Sequence, residues 1–324
     1  MEPILTIIQT ILFPGFIFFI GLAFFFEWVD RKFYADLQNR IGPLYAGPRG
    51  ILQPIADFIK LMSKEDLTPS YSDKKVFNIT PIVMCAIMLT ATLLIPVQSV
   101  TGIVSFTGDV VFAITAITFF CILVFLAGFS SVSRYSVVGA ERAVLQLLGF
   151  EIPLMLSIVG ICISSGSVEI AGIVSWQGAH LWNIAGPQLL GLVIFLVAAQ
   201  AELERIPFDI PEAEQEIVAG WMTEYSGRKL ALIRLSRSLE LVFISALTAT
   251  LYLGGPLGPA PTGTETFLFP VYFVLKTMLV LAILVTIRGI FARVRIDQMV
   301  SFAWRYLIPL SLLQIMLTIL WRTL

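Results

Sequence analysis

Residues 110–129 read VVFAITAITFFCILVFLAGF, a run of twenty residues without a charged side chain. A helix of about 20 apolar residues is long enough to cross the hydrocarbon core of a bilayer, so this run predicts a transmembrane helix. The fold class predicted from it is an all-α integral membrane protein, a bundle of about eight transmembrane helices forming a single domain over residues 1–324. The other predicted spans are 4–26, 77–98, 144–165, 186–203, 238–254, 268–288 and 303–321.

The composition agrees with a lipid environment. The chain has 324 residues, of which 57% are hydrophobic and 13% charged, and its mean hydropathy is +0.90. Soluble domains have about 45–50% apolar and about 25% charged residues. The partner predicted from composition is therefore lipid, with no nucleic acid.

Cysteine and histidine usage argues against a metal or redox centre in this chain. Cys85, Cys121 and Cys162 all lie in apolar runs, and His180 lies between two predicted spans. Iron–sulfur clusters and structural zinc sites usually need four Cys or Cys/His ligands in close spacing. We therefore predict no metal site and no catalytic residue here, and we assign any redox centre to a partner.

The basic residues predict the orientation. Of the 21 Lys and Arg residues, 19 fall in segments that lie on one side of the eight-span topology. The loops on the other side, 99–109, 166–185 and 255–267, contain none. Loops rich in Lys and Arg stay cytoplasmic, so both termini are predicted on the outer side of the cell membrane.

Residues 51–64 predict an amphipathic helix lying on the membrane surface. Its apolar stripe contains Ile51, Ile55, Phe58, Ile59 and Met62, and the opposite stripe contains Gln53, Asp57, Lys60 and Lys64. Such a two-sided pattern is typical of interfacial helices, and it also fits a loop helix packed on the bundle.

Ionisable residues inside predicted spans are candidates for function because a charge in hydrocarbon is costly. Glu151 and Lys276 lie near the middle of spans four and seven, whereas Glu27, Glu141, Arg142 and Glu240 lie at span ends. Buried opposite charges can carry protons or hold helices in register, and the sequence alone leaves both roles open.

The densest group of acids lies in residues 201–229, AELERIPFDIPEAEQEIVAGWMTEYSGRK. If residues 212–219 are helical, Glu212 and Glu216 share one face at i, i+4. Clustered carboxylates raise one another's pKa because neighbouring like charges resist joint ionisation, so some of them can exchange protons near neutral pH. A solvated acidic loop and a Ca²⁺ or Mg²⁺ site are the alternatives, and no EF-hand spacing supports the second.

Several motifs resemble one family along nearly the whole chain. The stretches are EWVDRK (27–32), QNRIGPLYAGPRGILQPIADFIKLMSKED (38–66), YSVVGAERAVLQLLGFE (135–151), the 201–229 segment, FVLKT (273–277) and RVRIDQMVSFAWRYLIPL (293–310). They resemble the membrane subunit that forms the floor of the quinone cavity in NADH:quinone oxidoreductase, complex I. The same family includes counterparts in energy-converting hydrogenases and related ferredoxin-driven complexes.

This resemblance implies a coupling subunit of a redox-driven pump for protons or Na⁺. Iron–sulfur and catalytic subunits would dock on its cytoplasmic side, and antiporter-like subunits beside it in the membrane. The chain would bind no cofactor of its own, and a quinone at the subunit interface is left open. The implied proton pathway contains Glu151, Glu202, Asp209, Glu212, Glu214, Glu216, Glu224, Glu141 and Lys276. The implied basic residues of the cavity and loop are Arg31, Arg40, Arg142 and Arg205.

Three departures from the family pattern bear on quinone binding. Met222 stands where many quinone-reducing members have a polar side chain, Arg228 replaces a residue that is often apolar, and Glu141 adds an acid. Quinone-reducing and quinone-free complexes therefore remain alternatives. A stand-alone secondary transporter is the alternative from another class, although the inverted repeats typical of such transporters are not evident.

Overall fold

The computed structural model describes residues 2–261 and 263–323, and within that part it contains helices and no strands. The all-α prediction is confirmed. The α-helices are α1 Glu2–Ile11, α2 Phe16–Leu37, α3 Gln53–Ser63, α4 Lys74–Thr92, α5 Asp109–Ser130, α6 Arg134–Ser165, α7 Ile170–Ala179, α8 Gln188–Glu202, α9 Glu214–Ile217, α10 Gly227–Leu253, α11 Glu265–Ile290, α12 Ile296–Phe302 and α13 Ile308–Thr323.

The described part has six helical segments that are long and apolar enough to cross a membrane. They are α1 with α2, then α4, α5, α6, α11, and α12 with α13. The two remaining predicted spans, 186–203 and 238–254, correspond to helices that are less suited to cross a membrane alone. Helix α8 is apolar but has only 15 residues, and α10 has 27 residues with four basic side chains and one acid. The predicted number of about eight spans is therefore high by this criterion.

Helix α10 can carry these charges because it occupies the centre of the bundle. It packs against α2, α4, α8 and α11, and nearly every residue from Ser238 to Leu253 is buried in protein. A polar side chain that faces protein rather than lipid can find hydrogen-bond partners. The surrounding apolar helices thus shield α10 from the bilayer.

Helix α3 matches the predicted interfacial helix, with Pro54 in its first turn. Ile55, Ile59 and Met62 are exposed, while Leu61 is buried against the bundle. Asp57 departs from the expected solvated stripe, because it lies near the bundle and pairs with Arg31 of α2 at 2.7 Å. Helix α3 therefore has a lipid-facing side and a side that docks on α2 and α10.

The segment between α8 and α10 folds back onto α5 and α6 through a 3₁₀ turn at Gly220–Met222. Trp221 in that turn is fully buried. A Cβ atom at Gly128 or Gly139 would lie under 3 Å from atoms of Trp221, so these glycines allow the turn to approach the two helices. The acid-rich segment is therefore packed against the bundle and is not a fully solvated loop.

A buried amide pair joins α6, α8 and α13. Gln314 Nε2 donates to Gln188 Oε1 at 2.6 Å and to the Ser157 carbonyl at 3.2 Å. Gln188 Nε2 in turn donates to the Gly160 carbonyl at 2.9 Å. A Cβ at Gly160 would overlap Gln314 Nε2, so a larger residue there would push this amide away from its hydrogen-bond partners.

We predict that Gly160→Ala destabilises the protein by about 1–2 kcal/mol, because the new methyl group displaces Gln314 from its buried hydrogen bonds. Gly149→Ala on the same helix is the matched control, since its Cβ would meet only Ala303 at an ordinary 3.7 Å. Thermal unfolding of the purified protein measures both. Equal melting temperatures for the two variants would contradict the prediction.

Candidate functional site

The end of α8 aims an acidic side chain into the bundle. Glu204 has φ +49°, a left-handed conformation, directly after the helix. Its N–H donates to the Ala201 carbonyl at 2.8 Å, and the Arg205 N–H donates to the Gln200 carbonyl at 3.3 Å. These two bonds form a Schellman motif, in which glycine is the usual residue at the left-handed position. A glutamate there costs about 1 kcal/mol of backbone strain.

Arg237 of α10 binds three carboxylates. Its guanidinium makes a short ion pair with Glu204, contacts Glu240 at 3.1 Å, and lies 3.4 Å from Glu212. Glu204 and Glu240 are buried, with side-chain exposures of 5% and 2%. We call these four residues the Arg237 cluster.

Aromatic rings hold the guanidinium in place. Arg237 Cζ lies 5.4 Å from the ring centroid of Phe120 and 5.3 Å from that of Trp221. Trp221 Nε1 also donates to Glu204 at 3.2 Å. Desolvated cation–π contacts of this kind stabilise a buried arginine by about 2 kcal/mol. The position of the positive charge is therefore well defined.

The cluster contains more acid than base. One guanidinium faces three carboxyl groups, so ionisation of all three would leave two uncompensated negative charges in a buried site. Burial raises the pKa of Glu212 to about 8, and nearby Glu204 and Asp209 add to this effect while Arg237 opposes it. The Glu212 side chain is nevertheless 28% exposed where it lines the cavity, and its raised pKa favours the protonated form near neutral pH.

Glu216 behaves in the opposite way. The expectation of a helix over 212–219 was wrong, because α9 begins only at Glu214. Glu212 therefore points to Arg237, whereas the exposed Glu216 pairs with Arg142 of α6 at 2.5 Å. The hydrogen bond from Arg142 lowers the pKa of Glu216. Glu212 and Glu216 are only four residues apart, but they therefore lie in different environments.

A cavity of about 630 Å³ lies beside the cluster. Asp30 of α2 holds two of its arginines, with Arg205 at 2.8 Å and Arg288 at 2.9 Å from its two oxygens. Asp209 makes a short ion pair with Arg293 across the same space. The cavity is also lined by side chains outside these ion pairs, including Met222, Ile206, Leu203, Leu241, Gln215 and Arg234.

A second chain of contacts links the cluster to α3. Asp57 pairs with Arg31, which makes a short ion pair with Glu27 on the next turn of α2. Glu27 then accepts a hydrogen bond of 3.0 Å from Ser238, the neighbour of Arg237 on α10. These contacts connect α3 to α10 at Ser238, which is adjacent in sequence to Arg237.

The acids continue from the cluster into the bilayer. Glu202 is 8% exposed at the end of α8, and the charged groups near it include Glu240, Glu151 and Glu204. Glu151 of α6 accepts a hydrogen bond of 2.5 Å from Thr118 of α5. Glu212, Glu204 and Glu240 thus meet at Arg237, and Glu202 lies near this group and near Glu151, which is in the middle of α6.

The structure does not bring every predicted site residue into this series. Glu141 and Arg40 are exposed and Glu224 is half-buried, each away from the cavity lining. Lys276 instead donates to the carbonyls of Leu253 and Leu257. The side chain of Glu214 lies outside the described part of the structure. Of the four predicted basic residues, Arg31 and Arg205 line the cavity.

Sequence reasoning missed the residue at the centre of the site. Arg237, Glu204 and Asp30 were not among the predicted site residues. One available signal was the i, i+3 spacing of Arg237 and Glu240 at the start of an apolar run, which favours an ion pair on one helix face. The described residues include no group of three or more Asp, Glu, His or Cys side chains arranged to hold a metal ion.

The model of the NADH dehydrogenase family matches residues 9–319 of the chain. The chain belongs to this family. The H subunit of the NADH-quinone oxidoreductase of Dehalococcoides mccartyi is 39% identical over 302 residues, which cover 93% of this chain and 83% of that protein. The H subunit of the F420H2 dehydrogenase of Methanosarcina mazei is 37% identical over 315 residues, with 93% and 89% covered. These matches confirm the resemblance found in the motifs.

For this family member, we predict that a protonated-carboxyl band in the infrared spectrum titrates near pH 8, following the pKa of Glu212 at about 8. Because protonation is favoured below that pH, the band is present at neutral pH and is lost as the pH rises. Glu212→Gln should remove this component, and Glu216→Gln, the matched control, should retain it. An unchanged titration in Glu212→Gln would contradict the assignment.

Proposed function

We propose that this chain couples electron transfer in a complex-I-like respiratory complex to ion translocation, with the Arg237 cluster as the site where charge is converted into proton movement. The observation that supports this best is the group of carboxyl side chains beside the cavity, Glu204, Glu240 and Glu202, with Glu151 of the apolar helix α6 near Glu202. An ionisable chain at membrane depth is costly unless it serves transport or packing. Protons are the ions such a group of carboxyl side chains suits.

Coulomb's law connects redox change to protonation. A unit charge about 10 Å from a carboxyl group changes its protonation energy by roughly 1.7 kcal/mol at an effective dielectric constant of about 20, or about one pKa unit. The pKa of Glu212 is about 8, so a shift of one unit would change its protonated fraction near neutral pH. A negative charge that leaves the cavity lowers this pKa and promotes proton release. A negative charge that arrives there has the opposite effect.

Two versions of this function differ in the molecule that accepts the electrons. One relative is named for NADH and a quinone, and the other for F420H2, which is an electron donor, so the second name specifies no acceptor. The two relatives are about equally similar to this chain, at 39% and 37% identity. The cavity is lined by charged side chains and by apolar ones that include Met222. This mixed lining suits a small polar headgroup or water as well as a quinone. Quinone-reducing and quinone-free complexes both fit, and extraction of bound quinone from the intact complex decides between them.

The proposed partners follow from charge and exposure. Iron–sulfur and catalytic subunits would cover the basic, cytoplasmic side, where the cavity opens. Antiporter-like subunits would pack against lipid-exposed helices within the membrane. A stand-alone transporter is less well supported, because the relatives from Dehalococcoides mccartyi and Methanosarcina mazei are named as subunits of larger oxidoreductases and match over 93% of this chain.

We predict that Glu151→Gln leaves the complex assembled but reduces ion translocation by roughly tenfold or more, because glutamine keeps the hydrogen bond to Thr118 and cannot carry a proton. Redox turnover should fall with it if the two are tightly coupled. Glu265→Gln, at an exposed position at the start of α11, is the control and should pump normally. The proposed route is wrong if assembled Glu151→Gln retains the native ion-to-electron ratio.

The proposed orientation is tested by labelling. The orientation requires α8 and α10 to cross the membrane in addition to the six longer segments. In a variant without the native cysteines, cysteines at Ser70 and Arg228 should then react with an impermeant maleimide only from the cytoplasmic side. Cysteines at Ser105 and Thr264 should react from the outside, because all four positions are exposed and lie in loops or at helix ends. Labelling of positions 70 and 264 from the same side would refute the topology.

A further inference from the structure

The outer end of α10 has an unusually complete set of hydrogen bonds. The last four carbonyls of any α-helix lack partners within the helix, and in a membrane each unpaired carbonyl costs several kcal/mol. In α10 these belong to Thr250, Leu251, Tyr252 and Leu253, all of them buried. Their partners come from other parts of the chain.

The segment between α7 and α8, together with the end of α7, supplies three donor groups. Gln177 Nε2 donates to the carbonyls of Thr250 and Leu251 at 3.0 and 3.2 Å. Asn183 Nδ2 donates to Leu251 at 2.8 Å, and the Ile184 N–H donates to Tyr252 at 3.2 Å. The first three orphan carbonyls are thereby satisfied.

Lys276 of α11 satisfies the last one. Its ammonium donates to the carbonyl oxygens of Leu253 and Leu257, at 2.6 Å in each case. It also lies 4.2 Å from the ring centroid of Trp182. None of the ion pairs found among the described residues includes Lys276, so carbonyl dipoles and an aromatic face stabilise its charge.

We propose that Lys276 is a positioning residue that caps the outer end of α10, together with Gln177 and Asn183. A cation at a helix C-terminus interacts favourably with the negative end of the helix dipole. The capped helix is the one that carries Arg237 and Glu240 near its other end. Lys276 therefore anchors α10 while the charge changes occur at the Arg237 cluster, and it takes no part in proton transfer.

Hydrogen exchange in the intact complex tests this role directly. In Lys276→Met, amide exchange in residues 250–257 should become about tenfold faster, because the cap loses its charged donor. The ion-to-electron ratio of the assembled complex should stay native. Lys276→Arg should restore protection, and Lys75→Met, which removes an exposed lysine, should change neither property.

Two results would overturn the proposal. Lys276→Met with native exchange at 250–257 and a reduced ion-to-electron ratio would place Lys276 in the proton pathway instead. If Lys276→Met fails to assemble, Gln177→Leu is measured in its place, since Gln177 belongs to the same cap without carrying charge. Unchanged protection of residues 250–257 in Gln177→Leu would then exclude the cap, whatever the outcome of Glu151→Gln.

Discussion

The structure depends on the burial of one guanidinium at the centre of a membrane protein. An arginine without partners cannot remain inside a bundle of apolar helices, because its desolvation costs many kcal/mol. Arg237 is stable there because Glu204, Glu212 and Glu240 approach it from the loop and from its own helix. The left-handed end of α8 and the inward fold of the 204–226 segment both serve this contact. Acids held near a fixed positive charge, but in excess over it, are then poised to bind and release protons.

Much of the fold could be predicted from the sequence because lipid imposes strong rules. Long uncharged runs mark the spans, and the interfacial helix at residues 53–63 followed from its two-sided pattern. The spans predicted at 186–203 and 238–254 correspond to α8 and α10, whose placement depends on packing as well as on hydropathy. Helix α10 is tolerated with its charges only because neighbouring helices enclose it, which no single window of sequence reveals.

The acid site was predicted in its location and missed in its arrangement. Composition identified residues 201–229, but pairing depends on backbone direction. A helix that starts at Glu214 instead of Glu212 sends Glu212 to Arg237 and Glu216 to Arg142. Opposite charges far apart in sequence, such as Asp30 with Arg205 and Arg288, leave no local pattern at all. Lys276 shows the converse, because its depth suggested a proton carrier and its contacts are backbone carbonyls.

The two ends of α10 differ in a way that suits a coupling element. At the inner end, charge is held by side chains whose protonation can change, so the forces on the helix depend on pH and on nearby electrons. At the other end, the Lys276 ammonium is held by the backbone carbonyls of Leu253 and Leu257. Under the proposed function, a change in protonation acts on the end of α10 that carries Arg237 and Glu240, and the end capped by Lys276 serves as its anchor. Helix α3 is tied to the Arg237 end of α10 as well. Three contacts, Asp57 with Arg31, Arg31 with Glu27 and Glu27 with Ser238, connect the two helices through α2.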